Sequence, residues 1–208
     1  MKSYHKLYYY DESVIDKDCW AFDKLDGQNM RFEGNLKRGF YKFGSRTQMV
    51  PKNDEQFGIG VNIFLNKYHD QLIRILSNQI RDKSTKITAF AELVGENSFC
   101  GKHNPNDELG LILFDIWIYK KGWVTPQKFI DDYGHLGIPN LIYKGKLTEH
   151  FISDVQEDKF LLKEGVIAKG NYFMVKVKTK KWLTEVRNKL GEKYLMEDVD
   201  YKKELIII

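Results

Sequence analysis

Hydrophobic and polar positions along this chain follow two different periods. Short apolar runs at Trp20–Leu25, Met30–Glu33 and Phe40–Phe43 are separated by Asp26-Gly27, Gly34-Asn35 and Arg38-Gly39. These pairs favour tight reversals, so the three runs predict an antiparallel meander. Four later runs, Ile87–Val94, Leu109–Ile118, Gly165–Lys169 and Tyr172–Lys178, read as further strands. Between Val61 and Ile80 the period lengthens: Phe64, Tyr68, Leu72, Ile75 and Leu76 fall on one helical face, with Lys67, Asp70, Arg74 and Asn78 elsewhere. That pattern predicts one helix covering a sheet. Thr125-Pro126 is an N-cap followed by proline at the first helical position, and Thr179 opens a helix that runs through Trp182 and Val186 to stop near Gly191. The terminal Glu-Leu-Ile-Ile-Ile predicts an added edge strand. Strand and helix patterns alternate irregularly without an internal repeat, which favours an α+β fold of antiparallel sheets flanked by helices over a doubly wound parallel sheet.

Composition narrows this further. The chain of 208 residues suits a single domain, 1–208, with a substantial core, and its 14% aromatic content fits a strand-rich interior. Basic and acidic residues, 33 against 29, are mixed throughout, so a polyanion would meet a local basic groove rather than a uniformly basic surface. Cys19 and Cys100 are too few for a disulfide scaffold, and His103 does not complete a zinc-ligand spacing with them. Both are expected to be reduced and structural. The N-terminal stretch lacks a signal-peptide run and no window approaches a membrane span, which points to a soluble, intracellular, cytoplasmic protein.

The candidate chemistry is concentrated in lysines and strand carboxylates. Lys24 follows an apolar strand and precedes Asp26-Gly27, a position at a sheet rim where an amine can be held still. A lysine amine is charged at neutral pH, so a nucleophilic Lys24 needs burial, other cations or a metal around it. Lys176 and Lys178 alternate with Val175 and Val177, which places both amines on one strand face. Such a face binds a phosphate, or it is simply a solvated lysine face. Glu164, at a turn before the run Gly165–Lys169, offers a hard oxygen ligand for a divalent ion; alone, it is an ordinary surface loop acid. Glu92 lies in an apolar strand, where it either faces solvent or meets a ligand such as a ribose hydroxyl. Asp115 is the single charge in Leu111–Ile118, beside Phe114, a stacking platform or plain core. Arg46, in Gly44-Ser45-Arg46-Thr47, is available to a phosphate or ribose.

Taken in order, these segments resemble the motif series of the covalent nucleotidyltransferase superfamily of polynucleotide ligases and capping enzymes, specifically its RNA ligase 2-like branch. The resemblance runs from about Trp20 to Lys178. It comprises a lysine motif at Lys24–Asn29, a Ser-Arg motif at Ser45-Arg46, Ala91-Glu92-Leu93-Val94-Gly95, Phe114-Asp115, a Glu-Gly-hydrophobic motif from Glu164 to Lys169, and a Lys-x-Lys motif at Lys176–Lys178. Asn29 resembles the RNA ligase branch. Asp26 stands where that branch often has histidine.

The resemblance implies an ATP-grasp-like nucleotidyltransferase domain that joins RNA 3′-hydroxyl and 5′-phosphate ends. Lys24 would attack the α-phosphorus of ATP and keep AMP as a phosphoramidate. AMP would then pass to an RNA 5′-phosphate, from which a 3′-hydroxyl displaces it. By the same resemblance Lys169, Lys176 and Lys178 neutralise the transferring phosphate, and Glu164 holds Mg2+ or Mn2+. Arg46 and Glu92 contact ribose or phosphate, Phe114 stacks on adenine, and Asp26, Asn29 and Asp115 complete the nucleotide surroundings. Only thirty residues follow Lys178, so no appended OB domain is expected, and a partner protein could supply RNA binding in its place. Exchange of Glu164 or Lys178 is expected to impair transfer with little loss of stability. Within the fold, a GTP-using capping guanylyltransferase and a DNA ligase fragment are the alternatives; outside catalysis, a nucleotide- or RNA-binding protein that kept the fold.

Overall fold

In a computed structural model of the protein, residues 1–95 and 108–191 are described, with the side chain of Leu190 left aside. Cys100, His103 and the C-terminal apolar run lie outside the described residues. Among the described residues, eleven strands and five α-helices are arranged in two compact units.

The first unit comprises Met1–His5, Asp26–Val124 and Lys128–Ile138. Its six-stranded sheet is built from β3 (Gln28–Asn35), β4 (Gly39–Ser45), β5 (Met49–Val50), β6 (Ile87–Val94), β7 (Gly110–Ile118) and β8 (Gly122–Trp123), in the order β5-β4-β3-β6-β7-β8. All its pairings are antiparallel. Met30 and Phe32 of β3, Ala89, Ala91 and Leu93 of β6, and Leu111 and Leu113 of β7 are fully or almost fully buried, and together they form one apolar face. Against it pack α1 (Gly58–Lys67) and α2 (His69–Ser77) through Phe64, Tyr68, Leu72 and Leu76, all buried as their spacing requires. Phe64 stacks on Phe32 with ring centroids 3.7 Å apart.

The helical region differs from the single span expected. It starts at Gly58, divides at Tyr68 (φ −111°) and ends at Ser77. At the joint the Tyr68 hydroxyl donates to the Leu111 carbonyl at 2.6 Å, a tertiary tie that no local propensity encodes.

The second unit comprises Lys6–Leu25, Thr125–Gln127 and Pro139 onward. Its five-stranded sheet runs β1 (Tyr8–Tyr9), β11 (Met174–Lys178), β10 (Gly165–Lys169), β2 (Asp18–Asp23), β9 (Leu141–Lys146). Only the β1–β11 pairing is parallel. Thus β2 does not continue into a meander with β3 and β4. Its partners are β9 and β10, and the reversal at Asp26-Gly27 carries the chain into the other sheet. Cys19, Ala21, Val166, Ala168, Val175 and Val177 bury one face of this sheet against Phe151, Ile152 and Val155 of α4 (Glu149–Gln156). Thr148 caps α4, accepting from the Phe151 amide at 3.1 Å. The last helix, α5 (Lys180–Leu190), begins at the cap Thr179, whose hydroxyl accepts from the Trp182 amide, and ends at Gly191, as expected. The helix α3 (Pro126–Tyr133) starts at its proline and belongs from Lys128 onward to the first unit, whose core includes Phe129 and Tyr133. Among the described residues no helix is long and apolar enough to cross a membrane.

Candidate active site

The five-stranded sheet gathers the lysines. Valines and alanines at alternate positions of β10 and β11 point into the α4 core, so the residues between them share the opposite face. Ile167 pairs with Lys176, Gly165 with Lys178, and Lys169 with Trp20. Lys169, Lys176 and Lys178 are 6%, 4% and 5% exposed. They are not a solvated lysine face. Each ammonium lies against an aromatic ring: Lys169 over Phe22 at 5.4 Å, Lys176 over Tyr9 at 4.6 Å, and Lys178 over Trp182 at 3.7 Å. Ring faces are electron-rich and partly replace the lost hydration.

Lys24 joins this group through the backbone. It stands one residue beyond β2, where its amide donates to the Gly165 carbonyl at 2.9 Å. Gly165 has φ +149°, and a Cβ there would lie 2.1 Å from the Val177 carbonyl oxygen. Only glycine allows β10 to start this close to β11. The tight start fixes the preceding residue, Glu164, whose carbonyl accepts from the Thr179 amide at 3.0 Å.

Glu164 is 3% exposed, and its carboxylate bridges two amines: Oε2 lies 2.6 Å from Lys24 Nζ and Oε1 3.1 Å from Lys178 Nζ. It is therefore not a surface loop acid. Its carboxylate is paired with two amines, one of them buried, so its exchange is expected to cost stability as well as to impair transfer. Asp23, next to Lys24, was not singled out from the sequence. Burial, and secondarily the nearby Glu164, push its carboxyl above the ordinary carboxylate range, against smaller lowering effects of Lys163 and Lys24. Its Oδ1 is buried with no hydrogen-bond partner among the described residues. The signal for it was the charge ending an otherwise apolar strand.

On the six-stranded sheet, the face opposite the helices carries the remaining candidates. Asn29 pairs with Glu92 across β3 and β6, and Arg31 pairs with Phe90. Gly27 makes the entry into β3 possible, since a Cβ there would meet the Leu93 carbonyl oxygen at 2.5 Å and Glu92 Cγ at 2.8 Å. The isolated acid of β7 is explained by a register shift. Phe90 pairs with Asp115 and Ala91 with Leu113, so Phe114 is an extra residue on β7. Leu111 and Leu113 before the bulge and Ile116 and Ile118 after it reach the same core, and Asp115 turns to the other face.

There the Asp115 carboxylate accepts from the Tyr4 hydroxyl at 3.0 Å and from the Ile116 amide at 3.1 Å. Burial first, and then Asp115, hold the Tyr4 hydroxyl well above its ordinary pKa. The Tyr4 ring meets Phe114 edge-on, 5.0 Å between centroids at 89°. Phe114 and Glu92 are partly exposed. Asn29 Oδ1 is buried and has no hydrogen-bond partner among the described residues, an acceptor left for something else to satisfy. Arg46 is exposed in the turn after β4, and Asp26 is partly exposed between β2 and β3. One sheet thus brings together Lys24, Glu164, Lys169, Lys176 and Lys178; the other brings together Asn29, Glu92, Phe114 and Asp115.

Among the described residues no three His, Cys, Asp or Glu side chains converge as metal ligands. The donor set near Lys24 is one or two carboxylates, which fits a divalent ion that arrives with phosphate oxygens rather than a closed protein cage.

The fold recurs in solved structures. A Naegleria gruberi RNA ligase mutant in its apo form superimposes with TM-score 0.64 at 15% identity, covering 85% of this chain and 53% of that one. Mutants of the same Naegleria enzyme holding AMP and Mn, or ATP and Mn, match at TM-scores 0.61 and 0.59 with 15% and 16% identity, covering 84% of this chain and 53% of theirs. At such identity the likeness shows the fold, and the chain spans about half the length of these ligases. No curated protein sequence matches significantly. The RNA ligase family model, however, matches residues 17–190, through both units, and the chain belongs to the RNA ligase family.

Proposed function

We propose that the chain is the nucleotidyltransferase domain of an ATP-dependent RNA ligase of the RNA ligase 2-like branch, with both units, 1–208, parts of that one domain. The observation that carries this reading is the bridge Lys24–Glu164–Lys178 at the edge of a buried lysine face. An amine held beside a carboxylate and further cations is the equipment for attack on a phosphate. Support also comes from the Naegleria ligase, which binds ATP or AMP together with Mn.

In this reading the nitrogen lone pair of Lys24 attacks the α-phosphorus of ATP. The P–N bond forms as the bond to the pyrophosphate oxygen breaks, and the amine's protons pass to solvent or to a nearby carboxylate. Lys24 lies in an ion pair with Glu164, so the attack requires that pair to open. Lys169, Lys176 and Lys178 stabilise the negative charge that develops on the transferring phosphate, from positions fixed beforehand by two strands. Their burial strengthens this effect, because little water competes for the phosphate oxygens. Glu164 would hold a divalent ion, Mg2+ or Mn2+, which would supply positive charge next to the phosphates. Phe114 offers its ring to adenine, Asp115 and Tyr4 fix that ring's surroundings, and Asn29, Asp26, Arg46 and Glu92 take ribose and phosphate groups. An RNA 5′-phosphate oxygen then takes AMP from Lys24, and a 3′-hydroxyl displaces AMP to form the phosphodiester. RNA is the partner, in the cytoplasm, with a partner protein as a second source of RNA affinity.

The test is incubation with α-labelled ATP, or separately with α-labelled GTP, and Mn2+ or Mg2+. ATP is expected to label the polypeptide, and GTP is not. Labelling by GTP alone would move the assignment to a capping-type guanylyltransferase, and labelling by neither would leave a binding protein.

A further inference from the structure

The end of the six-stranded sheet remote from Asn29 and Glu92 carries a concentrated positive charge that the proposed chemistry does not use. Antiparallel pairing brings the end of β3, the start of β6 and the end of β7 to one edge, with Gly34 beside Ile87 and Ile87 beside Ile118. Three loops meet there. The β3–β4 turn contributes Lys37 and Arg38, both exposed. The segment before β6 contributes Arg81, Lys83 and Lys86, and the β7–β8 turn Lys120 and Lys121, all exposed. The Lys37 amide donates to the Lys83 carbonyl at 3.2 Å, and the Tyr119 amide to the Lys86 carbonyl at 2.9 Å.

Seven cations therefore stand against Asp82 alone in these loops, a local excess of six charges in a chain whose net charge is +4. Asp82 is occupied by the turn itself, accepting from the Ser84 hydroxyl at 2.6 Å and the Ser84 amide at 2.9 Å. These bonds chiefly, with smaller contributions from Lys37 and Lys120, hold its carboxyl below the usual range. On the helix side Asp70 lies 2.8 Å from His69 Nδ1, and Asp132 is paired with Lys128 at 2.6 Å. The backbone ties bring these cation-bearing loops to one edge of the sheet. Asn35 Oδ1 fixes its turn by accepting from the amides of Lys37 and Arg38 at 3.0 and 2.9 Å.

Aromatic rings are interleaved with the cations. Tyr119 is 49% exposed, with the Lys120 ammonium 5.8 Å from its centroid, and the Arg38 guanidinium lies 4.2 Å from that of Tyr41. Clustered cations beside an exposed ring suit a nucleic-acid strand, with phosphates on the lysines and a base on the tyrosine.

We propose that this edge is an RNA-backbone contact surface, formed by Lys37, Arg38, Lys83, Lys86, Lys120 and Tyr119, that holds the substrate strand about 20 Å along β3 from Asn29. The assignment of RNA as ligand rests on the ligase reading; the surface itself rests on its charge and aromatic geometry. It would give the module a grip on RNA that does not involve the lysine face.

The test compares the protein with the variant Lys37→Gln/Lys83→Gln/Lys86→Gln/Lys120→Gln and with Tyr119→Ala. Binding of a fluorescent nicked RNA duplex is measured by anisotropy across a salt series, and covalent labelling by ATP alone is measured in parallel. Four lost phosphate contacts are expected to reduce the slope of log affinity against log salt by about 3 and to weaken binding on the order of tenfold or more near 0.1 M salt. Tyr119→Ala is expected to weaken binding with the slope unchanged, and labelling by ATP is expected to persist in both variants. An unchanged slope and affinity in the quadruple variant would overturn the proposal. So would competition by polyglutamate as effective as by RNA of equal charge, with Tyr119→Ala neutral, which would assign the edge to an acidic protein. Failure of the parent protein to label with ATP would instead count against the ligase reading, and the salt slopes would still decide the surface.

Discussion

Replacing Glu164 by alanine removes the carboxylate that bridges the Lys24 and Lys178 amines. Lys178 Nζ is 3.1 Å from Oε1 with both side chains 4% exposed, and Lys24 Nζ is 2.6 Å from Oε2 with its side chain 19% exposed. Stripping the partner from a buried ion costs about 3–5 kcal/mol, most of it the penalty of an uncompensated charge. Here the Lys178 interaction supplies the larger share, because Lys24 keeps access to water and its term is screened. The ring of Trp182, 3.7 Å from Lys178 Nζ, offsets about 1 kcal/mol of that penalty, so a net loss of about 2–4 kcal/mol is expected. For a chain of this size that lowers Tm by roughly 5–15 °C. The diagnostic comparison is Glu164→Ala/Lys178→Met, which deletes the Lys178 ammonium as well. The double variant is expected to be more stable than Glu164→Ala alone, by about 2 kcal/mol, even though it carries one more substitution. Differential scanning fluorimetry with urea titration at fixed salt reads both quantities. A Glu164→Ala protein within a degree or two of the parent, with no recovery in the double variant, would show that Glu164 does not compensate buried charge, and the site's electrostatic account would fail.

Two further substitutions test the geometry around this bridge. Gly165→Ala forces a Cβ to 2.1 Å from the Val177 carbonyl at φ +149°, so it is expected to cost about 3 kcal/mol or more and to abolish covalent labelling by displacing Glu164, whereas wild-type labelling in a folded variant would refute the positioning argument. Asp23→Asn tests a pH dependence: the folded carboxyl is raised above its ordinary 3.8, so the folded state binds more protons there and loses stability as pH rises through that window. The Asn variant is therefore expected to have a higher Tm at pH 7, with the gain vanishing below the ordinary value; a loss of Tm at pH 7 would mean that Asp23 is favourably paired rather than penalised by burial.

Elements with strong local signals were legible in the sequence. β6 and β10 start and stop where their apolar runs do, and α5 is bracketed by the Thr179 cap and Gly191. The pair β9 and α4 escaped notice because β9, Leu141–Lys146, is an edge strand whose residues are all at least partly exposed, so it carries no clean alternation. The placement of β2 could not be read locally either. Its neighbour in sequence is β3, but its hydrogen bonds go to strands more than a hundred residues away, and only the tertiary fold selects them. In the site, the two-residue period placed Lys176 and Lys178 on one face correctly but could not say whether that face is covered. The rings of Tyr9 and Trp182, which cover it, come from other segments. The acid of β7 had the same difficulty: the bulge at Phe114 that turns Asp115 away from the core is set by pairing with β6, not by β7 itself.

In the proposed reaction the side chain of Lys24 carries AMP. The most direct measurement is to incubate the protein with ATP and Mn2+ or Mg2+, digest it, and locate the adenylyl group by mass spectrometry, alongside a Lys24→Ala control of verified fold. A single modified residue, Lys24, is expected, through a bond that acid cleaves and alkali does not, with no modification in the control. Adenylylation at another lysine, or undiminished labelling of the folded Lys24→Ala protein, would contradict it.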